Sequence, residues 1–380
     1  MKIYCVGEEE RILPKKLINE IFLMRSIACL SILLLHSLAR AYEDENYMVN
    51  LVRLLLTFGT PTFIFISEFI LARSYPQELP ANFWSKRIKF IMVPYVLFGT
   101  FYAFLKAFEQ SGSFGNNFMG SFGQLLWRHI LLGDYHGYFI LVIFQFYLLH
   151  YFFHNNLKRW KPSLVMGGAL LINLLYLGFF NFVKPYPTEI GVYIWEKLYW
   201  IPFFGWLFYF TLAYYCGRNF LYFIGFLNKY SKMVIVSPII IGLICLSLYH
   251  SKLIYSISSK RVDMIFFTTS MILLIYYIAT KISIVPKFFV WISQYSFGIY
   301  LIHPVFLALM HVAFRKLSNE IQPLLLTGLY FICSLLLSIA CTFVLNKIPY
   351  GYYFAGKIAI GMNEKKGKNQ FVPDRKTIQG

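Results

Sequence analysis

Charge is scarce in this chain. Only 17 of 380 residues are acidic, and Lys, Arg, Asp and Glu together make 14%, against roughly 25% in a soluble domain. A water-facing surface is hard to build from so few charges. Several catalytic signatures are missing too: no G-x-x-x-x-G-K-[ST], no G-x-S-x-G and no H-E-x-x-H occurs. Their absence excludes phosphate-loop ATP chemistry, a hydrolase nucleophile elbow and a zinc-protease helix. The six cysteines (Cys5, Cys29, Cys216, Cys245, Cys333, Cys341) form no C-x-x-C pair, and five lie in apolar runs. Neither a disulfide framework nor a zinc site is expected, and no metal is assigned. No linker divides the chain, and no repeat of about 20–50 residues is visible.

What is abundant is apolar. Hydrophobic residues reach 58% and aromatics 20%, and the mean hydropathy is +0.59. The expected fold class is therefore all-α: a multi-pass cell-membrane protein with about ten transmembrane helices of about 20 residues each. The apolar runs place them near 21–39, 51–72, 90–108, 137–153, 163–182, 201–217, 234–250, 263–280, 291–312 and 323–345. Residues 122–136 read as a short interfacial helix feeding the fourth span. With the N-terminus inside, 23 Lys and Arg fall in inner segments and 10 in outer loops or at their edge. That asymmetry puts both termini in the cytoplasm. It also accounts for the net charge of +18 without a nucleic-acid partner. The expected organisation is a cytoplasmic segment 1–20, a transmembrane domain 21–345 and a basic, partly disordered cytoplasmic tail 346–380. The polar first 20 residues ahead of the apolar run are expected to mark a retained helix and not a cleaved leader.

The first span, IFLMRSIACLSILLLHSL from Ile21, contains Arg25 and His36. Eleven helical steps return to within about 20° of the starting direction, so both share one face about 16 Å apart. A buried cation needs a reason. His36 suits proton transfer near neutral pH, and Arg25 suits a phosphate or carboxylate. The bland alternatives are an interfacial histidine bonded to a neighbouring helix and an arginine reaching for the cytoplasmic surface. In SQYSFGIYLIHP, Ser296, Tyr300 and His303 share one helix face. Pro304 would kink or end that helix. Glu68 is a carboxylate inside an apolar run, able to neutralise Arg25 or Arg87 or to serve a histidine. Gly59 and Pro61 are expected to bend its helix. Lys86, Arg87 and Lys89 gather at the cytoplasmic mouth of the third span, as anchors or as a seat for phosphates.

Arg25-x10-His36 and Tyr300-Leu-Ile-His303-Pro304 resemble the two motifs of the membrane-bound acyltransferase family 3, over about residues 18–350. Stretches such as TFGTPTFIFIS from Thr57 and LGDYHGYFILVIFQFY from Leu132 are similar to its intercellular adhesion protein C branch. That branch is associated with the exopolysaccharide poly-β-1,6-N-acetylglucosamine, and has been described both as an O-succinyltransferase and as an exporter. The chain departs from the family pattern at Ser67-Glu68-Phe69, where many members have Ser-Gly-Phe.

The resemblance implies a membrane O-acyltransferase that moves an acetyl or succinyl group from acyl-CoA, with no bound cofactor, to a cell-surface polysaccharide of biofilm type. Arg25 and Arg87 would hold the donor's phosphates. His36 would act as general base on the acceptor hydroxyl, with His303 assisting and Ser296, Tyr300 and Glu68 in support. The lipid bilayer, acyl-CoA, the polymer and a membrane polysaccharide synthase are the implied partners. The rival expectation is an export component without acyl chemistry.

Overall fold

The computed structural model describes residues 15–42, 46–112, 114–314 and 321–358. Among them all regular elements are helices. In chain order they are α1 (Lys15–Ala41), α2 (Tyr47–Leu56), α3 (Gly59–Ser74), α4 (Phe83–Arg87), α5 (Val93–Ser111), α6 (Asn116–Leu131), α7 (Tyr138–Arg159) and α8 (Pro162–Phe182). Next come α9 (Glu189–Glu196), α10 (Leu207–Arg218), α11 (Phe220–Lys229), α12 (Ser231–His250), α13 (Met264–Lys281), α14 (Lys287–Phe314), α15 (Pro323–Lys347) and α16 (Tyr352–Ala355).

Eight described stretches are long and apolar enough to cross a membrane. The two expected spans outside that set are α7 and the 201–217 segment, and each has a physical reason. The 22 residues of α7 would cover about 33 Å, but half-buried Gln145 and buried His150 and His154 dilute its apolar character. Around 201–217 the chain forms two short 3-10 turns, Leu198–Trp200 and Phe203–Trp206, before the 12-residue α10. Irregular backbone at membrane depth must be satisfied within the protein, and Gln145 does this from both sides. Its amide donates to the Ile201 carbonyl at 2.8 Å, and its carbonyl accepts from the Phe203 N–H at 3.0 Å. Tyr176 and Asn173 of α8 bind the Tyr199 carbonyl and the Phe208 N–H.

Other local expectations shift as well. The interfacial helix proposed near 122–136 is α6, which lies along α5 and ends before a loop at 132–137. The helix carrying Glu68 is interrupted at Thr57–Phe58, just before Gly59. Pro304 does not end α14, which runs on to Phe314. A wider π turn at Ile88–Met92 precedes Pro94, whose ring would clash with the Phe90 carbonyl in a regular α-helix. The tail expectation is split: residues 348–358 fold back onto α5 and α14 through α16, while 359–380 lie outside the described residues, as do residues 1–14.

The helix α1 sits at the centre, against α3, α13, α14 and α15. Its start meets the end of α13 through Leu23, Ala279 and Val285. Its far end meets Leu307 of α14 and Leu326 of α15. Thus α14 runs parallel to α1, α15 runs back, and residues 15–20 and 348–358 share one side, which the basic-residue count makes cytoplasmic. The outward faces of α8 and α12 expose Leu164, Leu171, Leu175, Ile239, Ile240 and Leu243, a surface suited to lipid.

Between helices in lipid, close packing replaces the hydrophobic drive, so small residues set the contacts. A Cβ on Gly59 would overlap the Ser31 hydroxyl and come 2.7 Å from the Ala28 carbonyl. Gly59→Ala should therefore push α1 from α3 and cost about 1–3 kcal/mol, read as a lower thermal midpoint of the detergent-solubilised protein. Gly168→Ala, where a Cβ meets open space, should leave the midpoint unchanged or raised.

Candidate active site

A single cavity of about 1030 Å³ runs along α1 and is lined by Arg25, His36, Arg87, Ser296, Tyr300 and His303. The sequence placed these residues on separate segments, and the fold collects them around one space. Arg25 and His36 keep the helical offset of about 16 Å and both face the cavity. Arg25 finds no carboxylate partner among the described residues. His36, although deep in the fold, is exposed to the cavity.

At the level of His36 three imidazoles converge. The His36 and His303 rings are 5.4 Å apart, and the His136 ring lies 6.2 Å from that of His303. His303 is 2% exposed. Its Nδ1 lies 2.8 Å from the Ile299 carbonyl, one helical turn back. A carbonyl only accepts, so Nδ1 carries the hydrogen and Nε2 is left with its lone pair. That Nε2 has no hydrogen-bond partner among the described residues. His303 therefore presents an acceptor, able to orient a hydroxyl or an N–H beside His36.

His136 reaches the cluster from the 132–137 loop, which is bound into the fold at several points. The Tyr300 hydroxyl donates to the His136 carbonyl. Tyr135 donates to the Tyr95 carbonyl at 2.7 Å, and Tyr95 donates to the His129 carbonyl at 2.7 Å. A Cβ on Gly137 would overlap the Tyr135 ring, so the turn needs glycine there. Tyr300 thus holds the loop, where the sequence had given it a supporting role toward acceptor or carbonyl. Ser296 likewise turns inward, donating to the Ser293 carbonyl at 2.9 Å, while the buried Ser293 hydroxyl on the cavity wall has no hydrogen-bond partner among the described residues.

The cytoplasmic end is cationic. Arg87 lies over the rings of Tyr147 and Phe83, 4.8 and 5.1 Å from their centroids. Arg25 and Arg87 are close enough to repel one another. Lys357 joins them on the cavity wall. The Asn346 side chain brings it there, donating to the Gly356 carbonyl at 3.1 Å and accepting from the Ile358 N–H at 3.2 Å. Three cations gather at this end, while the lining carboxylates Asp134 and Glu196 belong to the loops at the other end, so this end favours an anionic occupant.

The outer end is aromatic. Lys260, 7% exposed, sets its Nζ 3.7 Å from the Trp200 ring centroid and 4.9 Å from that of Tyr138. Its loop is held by the buried Arg261, paired with Asp263 at 2.6 Å, and by Asn181. The Asn181 side chain bonds the Lys260 carbonyl and the Val262 N–H. Burial, with Lys197 nearby, pushes the Lys260 amine down to about 7. In the unfolded chain it would titrate near about 10.4. From pH 7 up to that value the unfolded chain binds the extra proton, so folding stability rises with pH. Below pH 7 the full penalty of the buried ammonium applies. Lys260→Met should raise the thermal midpoint at pH 6, with the gap to wild type narrowing by pH 9. A gap independent of pH would contradict this.

Glu68 lies elsewhere. It is buried, pairs with His150 Nδ1 at 2.6 Å, and does not line the cavity. Of the roles open to it in the sequence, the one found is partnership with a histidine, but with neither His36 nor His303. The departure from Ser-Gly-Phe is thus matched by an imidazole on α7. His136, Lys260, Trp200 and Lys357 were missed as site residues. The only signal for His136 was its place in a Gly-Asp-Tyr-His-Gly turn, and for the other three the sequence carried none.

The acyltransferase family 3 profile, an acyltransferase domain, matches residues 18–345. The Bacillus subtilis (strain 168) protein named "Putative membrane-bound acyltransferase YfiQ" is 41% identical over 350 residues, covering 90% of this chain and 95% of its own. The Staphylococcus aureus (strain Mu50) protein named "Probable poly-beta-1,6-N-acetyl-D-glucosamine export protein" is 28% identical, covering 88% and 98%. The Staphylococcus epidermidis protein of the same name is 25% identical, covering 88% and 96%. No solved structure matches significantly. A family match across nearly all the helices, on a cavity that joins Arg25 to His36 and His303, establishes that this chain belongs to the membrane-bound acyltransferase family 3.

Proposed function

We propose that the protein is an O-acyltransferase that takes an acyl group from cytosolic acyl-CoA and esterifies hydroxyls of a cell-surface polysaccharide. The observation that carries the reading is the continuity of the cavity from Arg25 to the histidine cluster. An extended thioester donor would place its phosphates at the cationic end, among Arg25, Arg87 and Lys357. Its acyl carbon would then lie near His36, about 16 Å away along α1. The relatives named as probable export proteins for poly-β-1,6-N-acetyl-D-glucosamine support a polymer of that type as acceptor; acetyl or succinyl is the group proposed to be carried.

His36, without a hydrogen bond among the described residues and open to the cavity, takes the proton from the acceptor hydroxyl as its oxygen attacks the thioester carbonyl. A tetrahedral oxyanion forms. The carbon–sulfur bond then breaks, the sulfur takes up the proton from His36, and CoA leaves to the cytoplasm. His303, with its acceptor-only Nε2, orients the hydroxyl or steadies the imidazolium that His36 becomes. Both reactants held in one enclosed space lose most of the entropic barrier to meeting.

His36→Ala should remove polymer-bound esters, as measured by NMR of surface polysaccharide, while the protein still reaches the membrane. Removing a positioned base typically costs about 10²–10⁴-fold in rate. Unchanged ester content would refute the assignment. Polymer trapped inside cells lacking the protein, with its esters unaltered, would favour export instead. Arg25→Gln should raise the donor KM more than it lowers kcat. An equal loss in both would place Arg25 outside the donor site.

A further inference from the structure

The outer end of the cavity is built by three loops, at 132–137, 195–200 and 256–260, which meet around Lys260 and Trp200. Lys260 Nζ stands against the faces of Trp200, Tyr138 and Trp206. No carboxylate pairs with it among the described residues, and no hydrogen bond from Nζ joins those of its backbone. Aromatic faces offset part of the desolvation of an ammonium, but they accept none of its N–H bonds. The same wall adds Ser256, Ser258, Tyr199 and Lys197. Rigid aromatic faces, hydroxyls and a buried N–H donor without an acceptor suit a ligand rich in neutral oxygens and flat C–H faces. Lys197 is drawn toward Asp134 at 3.9 Å, which moderates the positive charge.

We infer that this outer chamber is the subsite for a saccharide acceptor, in which Lys260 donates hydrogen bonds to sugar oxygens and Trp200 holds Lys260 in place. The inference rests on the acyl-transfer reading only for the fate of the bound sugar; the binding itself is tested apart from turnover. Lys260 is a binding residue, and Trp200 a positioning residue that acts through it.

The test uses the full chain in detergent, titrated with a β-1,6-linked N-acetylglucosamine pentamer and followed by tryptophan fluorescence. Acyl-CoA binding is measured in parallel. Lys260→Met should weaken pentamer binding about tenfold or more and leave acyl-CoA affinity within about twofold. Lys260→Arg, which keeps donors, should restore part of the pentamer affinity. Trp200→Phe should weaken the pentamer less than Lys260→Met does. No pentamer binding by the wild-type protein, or equal binding by wild type and Lys260→Met, would overturn the inference. So would equal loss of both ligands in Lys260→Met, which would make Lys260 structural. If pentamer binding depends on Lys260 while His36→Ala leaves polymer esters intact, the subsite stands and the acyl-transfer reading fails.

Discussion

Inside a bilayer each polar group needs a partner within the protein or a place on a cavity, because no water reaches it otherwise. That constraint organises this molecule. Gln145 resolves the irregular backbone at 198–206 by bonding it from both sides. Glu68 is met at one oxygen by His150 Nδ1, and Arg261 is paired with Asp263. Among the described residues Arg25, His36 and Lys260 have no such hydrogen-bonded or ion-paired partner, and all three line the large cavity instead. Polar groups sorted this way divide the structure into scaffold and site.

The scaffold exists to bring distant segments to one level. His36 comes from α1, His303 from α14 and His136 from the loop before α7. Their rings converge because Gly59 lets α1 approach α3 and Tyr300 anchors the loop. The same design separates the cavity's ends: Arg25, Arg87 and Lys357 gather at one, while aromatic faces and serines surround Lys260 at the other. A donor and an acceptor arriving from opposite compartments would meet at the imidazoles.

Much of this was legible in the sequence where a polar residue interrupts an apolar run. Arg25, His36, His303 and the helical class could be read because cost and periodicity both act locally. The 201–217 segment misled, since aromatic side chains make a short buried helix look like a span. Of the two outcomes open at Pro304, a kink or an end, the helix does not end there but runs on to Phe314. His136 and Lys260 sit in loops, where no period marks which way a side chain points, and Lys357 reaches the cavity only through the clasp by Asn346. Glu68 was visible as an anomaly, yet its partner lies 82 residues away in sequence, beyond any local rule.

The central claim is that one donor molecule bridges Arg25 and His36. A cryo-EM structure of the full chain with a non-hydrolysable acyl-CoA analogue tests it directly. The account predicts phosphate density among Arg25, Arg87 and Lys357, with the acyl carbonyl within hydrogen-bond reach of His36. An analogue bound only at the cytoplasmic surface, with the cavity beside His36 and His303 empty, would contradict it.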